Sequence, residues 1–312
     1  MRGTLPVMFR ALSLAAALGA LLLAVLGSWV RINGAGMSCP DWPLCHGALI
    51  PALAGGVVFE WSHRLVAFLE AFVVLAALWA GWRVRTTIAG VTPVLAYIGV
   101  VFLLQVALGG LTVALANSPW SVTVHWAMAM LFLAGLTALA ILAQAAPRRI
   151  AVRLSPLGLL LGACVALAFA VMCAGSYVSS SGSGLACSTL PSCDGGSWLG
   201  ATGAQHAQMV HRLLAGALFG AAAFAAYLSA VAPARVRIAT WAAFVLILGQ
   251  ALLGFANVAW TLPTLLREAH AANACALYLV LLAGLMFTAI DGTAPVAARI
   301  APRRTAGIEP AR

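Results

Sequence analysis

Apolar residues fill this chain in long runs, and polar residues interrupt them at regular intervals. Runs long enough to cross about 30 Å of hydrocarbon lie near residues 11–30, 61–82, 91–114, 121–145, 156–178, 206–230, 236–258 and 270–290. They predict eight transmembrane helices, and so an all-α polytopic membrane protein. The first run is longer than the apolar core of a usual signal peptide. It also has a counterpart at 156–178, and both leave the membrane through Gly-Ser-aromatic-Val, at Gly27–Val30 and Gly175–Val178. It is read as a membrane helix.

The polar interruptions recur. A shift of 148 carries Cys39, Cys45, His63 and Arg64 onto Cys187, Cys193, His211 and Arg212, and Pro43, Gly34 and Gly36 onto Pro191, Gly182 and Gly184. Further on the offset is 145, taking Gln105 to Gln250, Gly109 to Gly254 and His125 to His270. The three-residue change falls in a turn, where length varies cheaply. Four helices return the chain to its starting side, so the repeats are parallel, related by an axis along the membrane normal. The expected architecture is two tandem four-helix bundles, residues 1–149 and 150–312.

Composition agrees: of 312 residues 63% are hydrophobic and 8% charged, against about a quarter charged in a soluble protein. The net charge of +10 raises nucleic acid as a partner, but its placement excludes that reading. All seventeen basic residues are Arg, and thirteen fall at the N-terminus, in alternate loops (Arg83, Arg85, Arg148, Arg149, Arg153, Arg235, Arg237) or in the tail from Arg299. With eight spans these segments share one side, and the positive-inside rule makes it cytoplasmic, with both termini. Arg31, Arg64, Arg212 and Arg267 lie on the other side.

The cysteines divide likewise. Cys39/Cys45 and Cys187/Cys193 each form C-x5-C in an outer loop, on the oxidising side in bacteria, which predicts the disulfides Cys39–Cys45 and Cys187–Cys193. Cys164, Cys173 and Cys275 fall within spans as small apolar fillers.

Four of the six histidines obey the repeat: His63, His125, His211 and His270. Each lies in the first turns of an even-numbered helix, so each bundle offers two imidazoles at similar depth. Zinc would require more Cys or carboxylate ligands. Two histidines in an apolar bundle suit axial ligation of a haem. His46 and His206 have no counterparts and read as surface residues. Arg64 and Arg212 each follow a predicted ligand and could donate to haem propionates; Arg31 is replaced by Ser179 in the second half.

The halves differ at Glu60, three residues before His63 and so on the same helix face. Its counterpart is Gln208. A carboxylate can act as a base or stabilise positive charge, whereas an amide cannot take a proton. Glu70 lies about 10 Å deeper on that face by helical rise, where Leu218 replaces it. Glu268 matches Thr123 and is expected to pair with Arg267 or Arg64.

At these residues the sequence resembles the haem A synthase family across nearly its whole length. The motifs are VRINGAGMSCPDWPLCHG at 30–47, EWSHRLVA at 60–67, QVALGGLTVALANSPWSVTVH at 105–125, HRLLAG at 211–216 and GQALLGFANVAWTLPTLLREAH at 249–270. The resemblance implies an oxidoreductase that converts a methyl group of haem O to the formyl group of haem A through an alcohol, for cytochrome oxidase biogenesis. It implies that His63 and His125 hold the substrate haem, that His211 and His270 hold the iron of an electron-transferring haem b, and that Glu60 is catalytic. It also implies a bacterial plasma membrane location, haem O synthase and a quinone or redox protein as partners alongside lipid, and association with further copies. Two other readings use the same histidines: a two-haem b-type membrane cytochrome relaying electrons to or from quinone, and a haem transporter. The acid present in one half only separates the enzyme from a symmetric relay.

Overall fold

The computed structural model describes residues 4–147, 149–150 and 155–291. Within them the chain forms eight long helices: α1 (Thr4–Ile32), α2 (Gly56–Val84), α3 (Val91–Ala114), α4 (Pro119–Ala145), α5 (Pro156–Ser180), α6 (Gly203–Leu228), α7 (Ala234–Ala259) and α8 (Thr264–Asp291). All eight are long and apolar enough to cross a membrane. Arg2, Arg148, Arg153, Arg299, Arg303, Arg304 and Arg312 lie outside the described residues.

Most helices run beyond the apolar stretches that reveal them, and α4, α5 and α6 begin at side-chain caps. Ser118 accepts the Ser121 N–H ahead of Pro119, and Ser155 accepts the Gly158 N–H ahead of Pro156. Proline suits the first helical position because its missing N–H would have no partner there. Thr202 and Gln205 form a capping box at the start of α6. α2 starts at Gly56 without a side-chain cap, so that His63 lies about two turns inside it and not at its entrance.

The helices pack as an inner set and an outer set. α4 is the most enclosed, with 56% of its most apolar stretch buried against 17–33% for the others. It packs on α1 and α3, and across the middle of the molecule on α5 and α8. α5 packs on α6 and α8, and α7 on α8. Thus α1, α4, α5 and α8 make the centre, with α2, α3, α6 and α7 outside. α1 and α2 pack together and both carry small buried residues, among them Ala16, Ala20, Ala77 and Ala80. They allow close backbone approach, which is how helices gain contact where lipid removes the hydrophobic drive. The charged turn residues sit on aromatic faces, Arg85 at 3.9 Å over Trp82 and Arg83 at 5.5 Å over Trp79, an arrangement suited to the membrane–water boundary.

At the opposite end, two long loops (residues 33–55 and 181–202) and two short turns close the helix pairs. The short turns are alike: Ala116-Asn117 and Thr261-Leu262 are left-handed pairs without glycine. Each returns an N–H to the helix before it, Asn117 to Thr112 O at 2.8 Å and Leu262 to Asn257 O at 2.7 Å.

Candidate functional site

Each of the four repeat-matched histidines presses its Cε1 edge against a glycine on a neighbouring helix. A Cβ at Gly27 would come within 2.9 Å of His63 Cε1, and one at Gly175 within 2.9 Å of His211 Cε1. The corresponding distance is 3.4 Å for Gly109 to His125 and for Gly254 to His270. The rings are half-buried and come together in two pairs, one per half. The ring centroids of His211 and His270 are 6.4 Å apart, a span that admits one metal atom bonded to both rings at about 2 Å each.

Their hydrogen bonding is sparse. Nδ1 of His63, His125 and His270 is buried without a partner, which is unusual for a histidine kept for structural reasons. His211 Nδ1 lies 3.1 Å from Val171 O, a contact that sets the ring's orientation and leaves Nε2 as the other face. Among the described residues no three His, Cys, Asp or Glu side chains gather around a common point. The arrangement therefore fits a flat macrocycle held by two imidazoles, and not a zinc shell.

Over the mouth of each half lies a disulfide loop, Cys39–Cys45 and Cys187–Cys193, with Cα–Cα separations of 4.7 Å in both. The arginines after the histidines hold these loops. Arg64 donates from Nη1 to Asp41 O at 2.6 Å and Leu44 O at 2.5 Å, and from Nη2 to Cys39 O at 3.1 Å and Glu60 Oε1 at 2.6 Å. Arg212 repeats this on Thr189 O at 2.6 Å, Ser192 O at 3.2 Å and Cys187 O at 3.0 Å. The sequence offered both arginines as propionate partners. In the structure the Nη groups of both donate to loop carbonyls.

Glu60 is 5% exposed and belongs to the same assembly. Oε2 accepts the Cys39 N–H at 2.8 Å while Oε1 takes Arg64. It is therefore no solvated first-turn acid. Gln208, 4% exposed, copies half of this: Oε1 accepts the Cys187 N–H at 2.6 Å, and Nε2 donates to Gly184 O at 2.8 Å. The two positions share a structural task, and only one carries charge.

Carboxylates outside the helices stiffen the loops. Asp41 accepts the N–H groups of Gly47 and His46 at 2.8 and 2.7 Å. These bonds, Gly47's foremost, hold its carboxyl below the usual carboxylate range. Asp194 is lowered in the same way, first by the Ser188 hydroxyl and then by the Ser188 N–H. His46 and His206 are exposed and bonded locally, to Ser38 O at 2.9 Å and Thr202 O at 3.0 Å.

Some placements were not legible in the sequence. The Trp42 indole lies on Gly110 of α3, where a Cβ would meet it at 3.1 Å; Gly110 neighbours the glycine that backs His125. Gln105 brings Nε2 to 3.4 Å from His125 Nε2, whereas its counterpart Gln250 is drawn off to His270 O and to Asn273. Only the Asn273 amide, absent at the matching Met128, hints at this from sequence. Glu70 lies against Gly19 of α1, with Oε1 buried and unpartnered. Glu268 pairs with neither Arg267 nor Arg64, since both of its oxygens are buried without partners.

A model of the cytochrome oxidase assembly protein family, COX15-CtaA, matches residues 10–56 and 54–282, almost the whole helical region. The chain belongs to that family. Among relatives, "Heme A synthase" of Bacillus pumilus (strain SAFR-032) is 30% identical over 207 residues, covering 64% of this chain and 67% of the relative. "Heme A synthase" of Bacillus licheniformis is 32% identical over 207 residues, with 64% and 68% covered. "Heme A synthase" of Alkalihalophilus pseudofirmus is 28% identical over 255 residues, covering 79% and 86%.

Proposed function

We propose that this chain is a haem A synthase, a membrane oxidoreductase that oxidises a methyl substituent of haem O to the formyl group of haem A for cytochrome oxidase assembly. The names of its relatives support the activity. The observation that carries the residue assignment is an asymmetry: two histidine pairs are built on one plan, and only one has a carboxylate, Glu60, where the other has Gln208.

In this reading the N-terminal half, residues 1–149, takes the substrate between His63 and His125. The C-terminal half, residues 150–312, holds haem b between His211 and His270. Haem b, when bound, supplies an electron-transfer centre. The loops lie on the outer face of a bacterial plasma membrane, with both termini cytoplasmic. Haem O arrives from haem O synthase, and the electrons leave to a quinone or a redox protein.

With water as the oxygen donor, methyl to alcohol releases two electrons and two protons, and alcohol to aldehyde releases two of each again. Glu60 is the residue of this chain that can take a proton at Oε1 or Oε2 or stabilise positive charge at the substrate carbon. Arg64 and the Cys39 N–H orient the carboxylate and tie it to the loop, so that loop and acid form one unit.

The test is extraction and mass analysis of porphyrins from the purified chain, co-expressed with haem O synthase in cells that lack haem A. Haem A or the alcohol alongside haem b is expected. Haem b alone, with no haem A in the cells, would mean a two-haem electron relay.

A further inference from the structure

The seam between the halves contains charged groups that the reading above does not use. α1 and α8 meet there, and Arg31, Ser28, Arg267 and Glu268 converge near the loop end. Arg31 Nη1, Ser28 Oγ and both carboxylate oxygens of Glu268 are buried, and none has a hydrogen-bond partner. Ser28 stands beside the Glu268 carboxylate without completing a hydrogen bond, and Arg31 has Arg267 and Glu268 as its charged neighbours. Both Glu268 oxygens and Arg31 Nη1 lack partners, so Arg31 and Glu268 stand near each other without touching. Arg267 reaches back to Ile32 O at 3.4 Å, the last residue of α1. Buried charge left open in this way is costly unless something enters to complete it.

Charge and position indicate what enters. Two arginines and one glutamate leave one positive charge, which a single carboxylate neutralises. Arg31 follows Gly27 by four residues, so both lie on one strip of α1, and Gly27 is the glycine against which His63 rests. The open guanidinium is thus one turn beyond the His63 ring, toward the loop end. The second half has no such site, because Ser179, Val122 and Thr123 occupy the positions matching Arg31, Arg267 and Glu268. The two arginines that might have served elsewhere, Arg64 and Arg212, are engaged with the loops.

We propose that Arg31, flanked by Arg267 and Glu268 of the other half, is an anion anchor for a propionate carboxylate of the porphyrin held between His63 and His125. This rests on the haem reading of that site. A guanidinium donating to a carboxylate is among the stronger hydrogen bonds available to a protein. It would hold the propionate edge of the substrate at the loop end and distinguish the two edges of an otherwise nearly symmetric disc. Because the flanking residues come from α8, the substrate half is completed by the other half.

The test compares wild type, Arg31→Gln and Arg31→Lys as purified full chains, titrated with ferric haem b and with its dimethyl ester, in which both propionates are uncharged. Uptake beyond the haem already held is followed by low-spin absorbance. Arg31→Gln is expected to bind added haem about tenfold or more weakly, with Arg31→Lys between it and wild type. The dimethyl ester should bind wild type and Arg31→Gln alike. Equal binding of haem by wild type and Arg31→Gln would overturn the proposal, and so would equal weakening for haem and ester, which would mark a packing role. If wild type takes up no haem in either half, the haem reading falls and this anchor with it.

Discussion

Glu60 accepts the backbone N–H of Cys39 at 2.8 Å, and so ties the acid of the first histidine pair directly to the disulfide loop above it. Gln208 makes the same bond to Cys187 at 2.6 Å. One side-chain oxygen at this position is a structural requirement in both halves. Only the first half carries a negative charge there.

Glu60→Gln separates these roles. The amide keeps the acceptor for Cys39 and loses the charge opposite Arg64, which retains three loop carbonyls. The variant should fold with a loss of about 1–2 kcal/mol, bind its porphyrins and form little or no haem A. Chromatography of extracted porphyrins should show haem O if Glu60 serves the first oxidation and the alcohol if it serves the second. Wild-type haem A yield would reduce Glu60 to a loop brace.

The histidine pairs predict separable losses. His211→Ala should remove the haem b of the C-terminal half, with the helices intact by circular dichroism. A b-type low-spin spectrum unchanged by His211→Ala would reject the assignment.

Glycine-to-alanine changes test the ring seats. In a helix this exchange by itself stabilises by about 1 kcal/mol, so any loss must come from the ring. Gly175→Ala places a Cβ 2.9 Å from His211 Cε1 and should displace the ring and the haem it holds, whereas Gly254→Ala, at 3.4 Å from His270, should be tolerated. Absorbance and haem content of the two purified variants give the answer, and equal behaviour would contradict it.

Each disulfide closes a short loop, with a sequence separation of 6. In the chain-entropy picture each adds about 2 kcal/mol. Alkylation without reductant should leave Cys39, Cys45, Cys187 and Cys193 unlabelled, and Cys39→Ser should speed amide exchange across residues 39–48 without unfolding the helices. Free thiols at these four positions in oxidised protein would be the contrary result.

Acid should loosen the loops only at low pH. The folded pKa of Asp41 is depressed by the Gly47 and His46 N–H groups. Its contribution is therefore complete above about pH 4, the unfolded carboxylate's value, and fades as pH falls through the lower folded value. Asp194 behaves alike, through Ser188. Amide exchange at His46 and Gly47 should be flat from pH 7 to 5, after correction for intrinsic rates, and rise below about 4. Loosening already at pH 5 to 6 would point to another group.

What the sequence determined by itself is what depends on composition and spacing. Eight helices were legible because hydrocarbon leaves a spanning backbone no other way to satisfy its hydrogen bonds. The two disulfides and the four histidines were legible because rare polar residues kept constant offsets through apolar sequence. The family model matches across the segments that hold them, residues 10–56 and 54–282.

Partnership was decided only by the tertiary structure. Arg64 and Arg212 look free in sequence, but both donate to loop carbonyls 20 to 25 positions away. Glu268 has arginine as its neighbour in sequence, yet it is left facing Arg31, 237 residues away, across the seam where α8 meets α1. Spacing along a chain determines which residues share a helix face. Which group completes a buried charge depends on what the other helices bring to that depth, and burial makes that contact energetically decisive because no water is there to replace it.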